Sequence, residues 1–167
     1  LSYPGIRKFL KESFANYIKK QHPEAEVIAG VATGAIAIGA LTAEELGLPF
    51  VYVRSKSKGH GLENMIEGDL KQEQKVVVIE DLISTGKSSL NAVHALREAG
   101  ANVLGMNAIF SYGFQIAIDS FKKADCPVQT LTDYETTIDI AVKEGYLKKD
   151  DIHSLTRWRK DPANWKQ

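Results

Sequence analysis

Between Lys75 and Asp81 the chain reads KVVVIED: four consecutive apolar residues, then two adjacent acids. A short, β-branched run without polar alternation marks a strand buried on both faces. Such strands belong to parallel sheets with helices on both sides. The rest of the chain keeps to that plan. EVIAGVA, PFVYVR, NVLGMNAIF and PVQTL read as further strands. AIAIGALTAEELG reads as a helix ending near Gly47, and SSLNAVHALREAGA as one with Leu90, Val93 and Leu96 inward and a stop at Gly100. FQIAIDSFKKA, Thr132–Glu144 and KKDDIHSLTRWRKD complete the predicted helices, with a loose tail to Trp165. Ahead of them, Ile6, Phe9, Leu10, Phe14, Tyr17 and Ile18 follow Pro4 at helical spacing, which predicts one buried face. Alternating strands and helices with right-handed crossovers give an α/β fold: a doubly wound, mainly parallel sheet flanked by helices. One domain over residues 1–167 suits this length.

The charge is balanced, with 21 basic and 21 acidic side chains, which supports neither a nucleic-acid nor a membrane partner. No apolar run approaches the roughly 20 residues of a membrane span. The one cysteine, Cys126, excludes an internal disulfide and fits a reducing, cytoplasmic setting. Placed before Pro127 at a strand start, it is expected to pack. His22, His94 and His153 lack the spacing of a metal site, so no protein metal site is predicted. Trp158 and Trp165 are read as packing or interface residues.

Ligands of such sheets bind at the carboxyl ends of the strands. Three loops there carry unusual chemistry. In the first, Glu80 and Asp81 end the strand, and STGKSS opens a helix. Adjacent carboxylates are costly unless hydroxyl donors or a cation meet them. Ser84, Thr85, Lys87 and Ser88 add hydroxyls, a charge and free N–H groups at a helix N-terminus, an anion site suited to phosphate. A ligand with both hydroxyls and a phosphate, such as a ribose phosphate, fits. The plainer reading is a helix capped by Ser84 or Thr85 with solvated acids. A Walker A loop fails on spacing, because it needs glycine at position 81, which is Asp. The second loop, GVATGAI from Gly30 to Ile36, is either a packing turn or a ligand loop. The third, Arg54 to Gly68, belongs to a glycine-rich polar stretch without periodicity, read as structureless from Ser55 to Leu70. It carries Arg54, Lys56, Lys58 and His60. It is either a solvated loop or a lid that brings positive charge onto a phosphate-rich substrate.

VVVIEDLISTGKSS resembles the phosphoribosyl pyrophosphate (PRPP) signature of the type I phosphoribosyltransferases. YVRSKSKGHG, with Lys four positions after Arg and then His-Gly, is similar to the mobile loop of the orotate phosphoribosyltransferases, as are VATGAI and WRKDPANW. The resemblance spans essentially the whole chain and implies the type I phosphoribosyltransferase fold. It implies that Glu80 and Asp81 bind the ribose hydroxyls. Leu82, Ile83, Ser84, Thr85, Gly86, Lys87 and Ser88 would hold the 5′-phosphate, with Ser84 also near orotate. Arg54, Lys58 and His60 would grip pyrophosphate as the catalytic group. It further implies Mg2+ carried by PRPP, a homodimer whose lid reaches the partner's site, and a segment before Leu1 that completes the orotate site.

Three departures bear on the base. Gly34 and Ser55 stand where other members have lysines, with Lys56 near enough to substitute for the second. SYGFQIAIDSF lacks an arginine that some members use for orotate. Two other readings stay open: a phosphoribosyltransferase for a different base, such as a purine, and a non-catalytic PRPP sensor on the same fold.

Overall fold

The structure, a computed structural model, describes residues 2–54 and 65–165. In chain order the elements are α1 (Pro4–Gln21), β1 (Val27–Val31), α2 (Ile36–Leu46), β2 (Phe50–Val53), β3 (Ile66–Glu67), β4 (Lys75–Ile83), α3 (Lys87–Glu98), β5 (Asn102–Ser111), α4 (Gln115–Lys123), β6 (Val128–Asp133), α5 (Tyr134–Lys143) and α6 (Asp151–Lys160). A short 3-10 turn, Pro162–Asn164, follows.

One six-stranded sheet runs in the order β3-β2-β1-β4-β5-β6. All neighbours are parallel except β2 and β3. The alternation of side chains along each strand feeds two cores. Val27, Ala29, Val76 and Val78 pack with Leu90, Val93 and Leu96 of α3 and with Phe121 of α4. Ile28, Val77 and Ile79 pack with Phe14 and Ile18 of α1 and Ile38 of α2. The valine run is therefore apolar throughout because each of its faces meets a helical layer. Complete burial of a Val or Ile side chain is worth about 1.5–3 kcal/mol, so these residues fix the strand before any loop is considered.

The chain leaves β1 through α2 towards β2 on one side, and leaves β4 through α3 towards β5 on the other. Connections that diverge from adjacent strands open a crevice at the carboxyl edge, the topological switch point of a doubly wound sheet.

Four boundaries differ from the sequence reading. β4 continues past the acids to Ile83, because Leu82 and Ile83 still pair with Phe110 and Ser111 of β5. The stretch read as structureless contains β3, whose Ile66 and Glu67 pair antiparallel with Val53 and Tyr52; two paired residues are too few to show periodicity. Thr132 belongs to β6, and α5 starts only after Asp133, whose carboxylate accepts from Thr136 N at 2.8 Å. Ile6 and Phe9 are 56% and 65% exposed, while Phe14 and Ile18 carry the burial of α1. The first turns of that helix reach beyond the layer that α2 and the sheet offer.

Candidate active site

The loops after β1 and β4, and Arg54 at the end of β2, lie at the same edge because their strands are parallel. Asp81 lies against the first of them. A Cβ on Gly34 would stand 1.8 Å from Asp81 Oδ2, so only glycine at position 34 leaves this carboxylate its place. Gly30 is shaped by packing: its Cβ would meet the Phe50 ring at 3.0 Å and Ala35 O at 2.9 Å. The loop read two ways from sequence is thus both things, a packing turn at Gly30 and a close approach to an acid at Gly34.

The paired acids have separate environments. Alternation along β4 turns Glu80 towards α3, where it is 3% exposed and accepts from Ser89 Oγ at 2.8 Å. Its other oxygen accepts from Asp81 N at 3.0 Å. Asp81 turns towards the loop after β1 and is exposed, with Oδ1 accepting from Leu82 N at 2.8 Å. Burial, reinforced by the hydrogen bond with the Asp81 carboxyl, pushes the Glu80 carboxyl up to about 8, against the opposing pull of Ser89. Glu80 is therefore predominantly protonated at neutral pH, and Asp81 is the acid exposed at the crevice. The strand's continuation to Ile83 is the physical reason the neighbours part company.

The helix N-terminus that follows is open. Neither Ser84 nor Thr85 caps α3. The N-cap is Gly86 at φ +78°, and among the described residues no side chain bonds the first turn there. A Cβ at position 86 would lie 2.8 Å from the Phe121 ring, so glycine is required by both φ and space. The first N–H groups of α3 consequently face outward with Lys87 and Ser88 exposed beside them, and Thr85 is exposed as well. Ser84 is half-buried and Leu82 is 41% exposed. Ile83 sits in the core, 2% exposed, and its carbonyl accepts from Tyr112 N at 3.0 Å. Of the loop residues named from sequence, Ile83 thus acts as an anchor whose side chain faces away from any ligand.

Arg54 leaves the end of β2. Its N–H donates to Met65 O at 2.8 Å and its guanidinium pairs with Glu67 of β3 at 3.3 Å, which steadies it at the crevice edge. Lys56, Lys58 and His60 lie outside the described residues. Sequence reasoning missed Ser89. A signal existed, since Ser89 shares the inward face of Val93 and Leu96 and a buried hydroxyl there requires a partner.

An open helix N-terminus, a glycine at which a Cβ would strike a carboxylate, and an exposed acid thus lie together at the switch point. The phosphoribosyl transferase domain family matches residues 2–143. The orotate phosphoribosyltransferase of Phocaeicola vulgatus is 56% identical over 165 residues, covering 99% of this chain and 78% of that one. The chain belongs to the orotate phosphoribosyltransferase family. The orotate phosphoribosyltransferase of Aeropyrum pernix superposes with a TM-score of 0.72 at 26% identity, over 84% of this chain and 76% of that one. The Leishmania donovani UMP synthase superposes at 0.81 with 23% identity, over 95% of this chain and 34% of that one, a likeness of fold. The match to the wider phosphoribosyl transferase domain ends at Lys143, so α6 lies beyond that domain, although the Phocaeicola vulgatus relative matches 99% of the chain. Trp158 of α6 packs against Tyr112 at 5.5 Å and Tyr134 at 5.4 Å, as a packing residue should. Cys126 is buried at 4%, with its thiol pushed up mainly by that burial. Among the described residues no helix is long and apolar enough to cross a membrane.

Proposed function

We infer that this orotate phosphoribosyltransferase converts orotate and PRPP to orotidine 5′-monophosphate and pyrophosphate, a step in making pyrimidine nucleotides. The observation that carries this reading is the open N-terminus of α3, held by Gly86 next to the exposed Asp81 at the switch-point crevice. The 5′-phosphate of PRPP accepts from the N–H groups of the loop from Ser84 to Ser88, with the charge of Lys87 near it. Asp81 accepts from the ribose diol. Glu80, with Ser89, holds Asp81 from beneath and stands next in line for a ribose hydroxyl if its side chain turns outward.

The reaction is a displacement at the anomeric carbon. The bond to pyrophosphate oxygen breaks, its electron pair leaves with pyrophosphate, and a bond to orotate nitrogen forms. Breaking runs ahead of bonding, so the sugar passes through oxocarbenium character, as in glycosidic cleavage. No protein nucleophile is needed; orotate's negative charge lies on its carboxylate, so the proton on the attacking ring nitrogen leaves as the new bond forms and is taken up by the departing pyrophosphate, itself a basic polyanion, or by water. The chain's task is to hold both reactants in line and to receive the departing charge. Arg54, Lys58 and His60 are assigned that second role, with His60 as a hydrogen-bond donor. Among the described residues no three His, Cys, Asp or Glu side chains converge as a ligand set. Mg2+ would arrive on PRPP, held mostly by the substrate's own oxygens and water, and would neutralise part of the pyrophosphate charge. The enzyme is assigned to the cytoplasm and to a homodimer in which the Arg54–Gly68 loop serves the partner's site.

The test is direct. The protein is mixed with PRPP, magnesium and orotate, and the absorbance of orotate is followed, with uracil, hypoxanthine and adenine in parallel. Loss of orotate absorbance and silence with the other bases is expected. Turnover of a purine instead would reassign the base. Binding of PRPP without turnover of any base would make the protein a sensor.

A further inference from the structure

α6 lies outside the segment shared by the wider phosphoribosyltransferase family, yet Arg159 ties it by hydrogen bonds to the active-site edge. Arg159 Nε donates to Tyr112 O at 3.0 Å, and Nη2 donates to Gly113 O at 3.3 Å. Nη1 pairs with Glu135 of α5, and the guanidinium stands 5.8 Å from the Tyr134 ring centroid. The two carbonyls belong to the turn between β5 and α4. That turn is bonded to the phosphate loop's own strand: Tyr112 N donates to Ile83 O at 3.0 Å, one residue before Ser84. Its shape is further set by Gly113 at φ +63°, whose N–H donates to Ser111 Oγ at 3.0 Å. A Cβ at Gly113 would lie 2.7 Å from Arg159 Nη2, so arginine and turn are fitted to each other. Around them Phe110, Tyr112, Phe114, Tyr134 and Trp158 form one aromatic cluster.

The order of the strands says which reactant that turn faces. Along the carboxyl edge Arg54 ends β2, Asp81 and the phosphate loop end β4, and the Tyr112–Phe114 turn ends β5. With the sugar held at β4 and its leaving pyrophosphate on the β2 side, an in-line displacement requires the base on the opposite flank. We propose that Arg159 is a positioning residue for the incoming base: by gripping Tyr112 O and Gly113 O it fixes the β5–α4 turn that flanks the base, without touching the base itself. The proposal rests on the reaction inferred above. It also gives the chain an arginine that controls this turn from a distance, where the turn's own sequence has none.

Steady-state kinetics with each substrate varied separately, on R159Q, R159K and E135Q, decide it. R159Q should raise the KM for orotate by about tenfold or more, the loss expected when charge-assisted hydrogen bonds disappear, while the KM for PRPP stays within about twofold. R159K keeps the charge but loses the fork to two carbonyls, so it should recover only part of the orotate KM. E135Q loosens Arg159 without touching the turn and should shift the orotate KM in the same direction by less. That variant keeps the test open if R159Q fails to fold in a thermal melt. Equal rises in both KM values, or unchanged kinetics in folded R159Q and E135Q, would overturn the proposal. A wild-type protein that never consumes orotate would sink the assigned reaction and this inference together, an outcome distinct from a variant effect of the wrong kind.

Discussion

Glu80→Gln makes the sharpest test of the site's physics, because it removes the titrating proton while any other cost it carries does not vary with pH. The folded protein holds this carboxyl neutral up to about pH 8, against an ordinary value near 4.5. Between those limits the native state keeps a proton that the unfolded chain has lost. Stability therefore falls as pH rises, by about 1.4 kcal/mol per unit for one proton. The favourable contribution is complete below about pH 4.5 and is lost as pH climbs through about 8. From about pH 5 to pH 7 the expected loss is on the order of 2–3 kcal/mol, discounted for the sharing of protons with Asp81. Glutamine keeps one oxygen to accept, so one of the bonds from Ser89 Oγ and Asp81 N is lost, a cost that is the same at every pH because glutamine does not titrate. Urea unfolding of both proteins across that range should show the wild type losing stability relative to E80Q as pH rises. Every other titrating group is common to both, so the difference isolates Glu80. If that difference stays constant across the range, Glu80 is ionised in the fold and the account of its burial is wrong.

Gly86→Ala should destabilise by about 2–4 kcal/mol, combining left-handed strain with a methyl pressed on the Phe121 ring; a urea-measured loss under about 1 kcal/mol would show that the turn relaxes freely. Asp81→Asn should weaken PRPP binding by about tenfold by calorimetry, and unchanged affinity would remove Asp81 from the ribose diol. Lys58→Ala should lower kcat by about a hundredfold while PRPP still binds, whereas a change confined to KM would reduce its role to tethering substrate.

Much of this was legible in the sequence because it depends on short-range pattern. The valine run, the inward face of Leu90, Val93 and Leu96, and the glycine behind the acids are all local signals. The residues that escaped are those whose meaning lies across the fold. Asp81 and Gly34 are far apart in sequence, and only the pairing of β1 with β4 brings a carboxylate to where a Cβ at position 34 would lie. The separation of Glu80 from Asp81 depended on where β4 stops, and that was settled by pairing with Phe110 and Ser111 rather than by β4's own residues. Ile6 and Phe9 share the spacing of Phe14 and Ile18 but lack a layer to cover them. Arg159 was read merely as part of a final helix, because its partners at Tyr112 and Gly113 lie in a distant turn.

Three local rules are broken at the carboxyl edge, and on the proposed reading each breach leaves something for a ligand to do. A helix start normally takes a Ser, Thr, Asp or Asn cap, worth about 1 kcal/mol, but α3 starts at a glycine and leaves its first N–H groups uncapped. A side chain placed there to cap them would fill the space an anion needs and strike Phe121. A buried carboxyl is costly in its charged form, yet Glu80 sits beneath Asp81 and Ser89, where it braces the one carboxylate that faces outward. Position 34 gives up its side chain so that this carboxylate can lie flat against the neighbouring loop. The two apolar cores, by contrast, contain no such compromise: strand faces and helix faces agree at every residue from Val76 to Ile79. On the proposed reading, the 5′-phosphate and ribose of PRPP complete the hydrogen bonding that the chain withholds at this switch point.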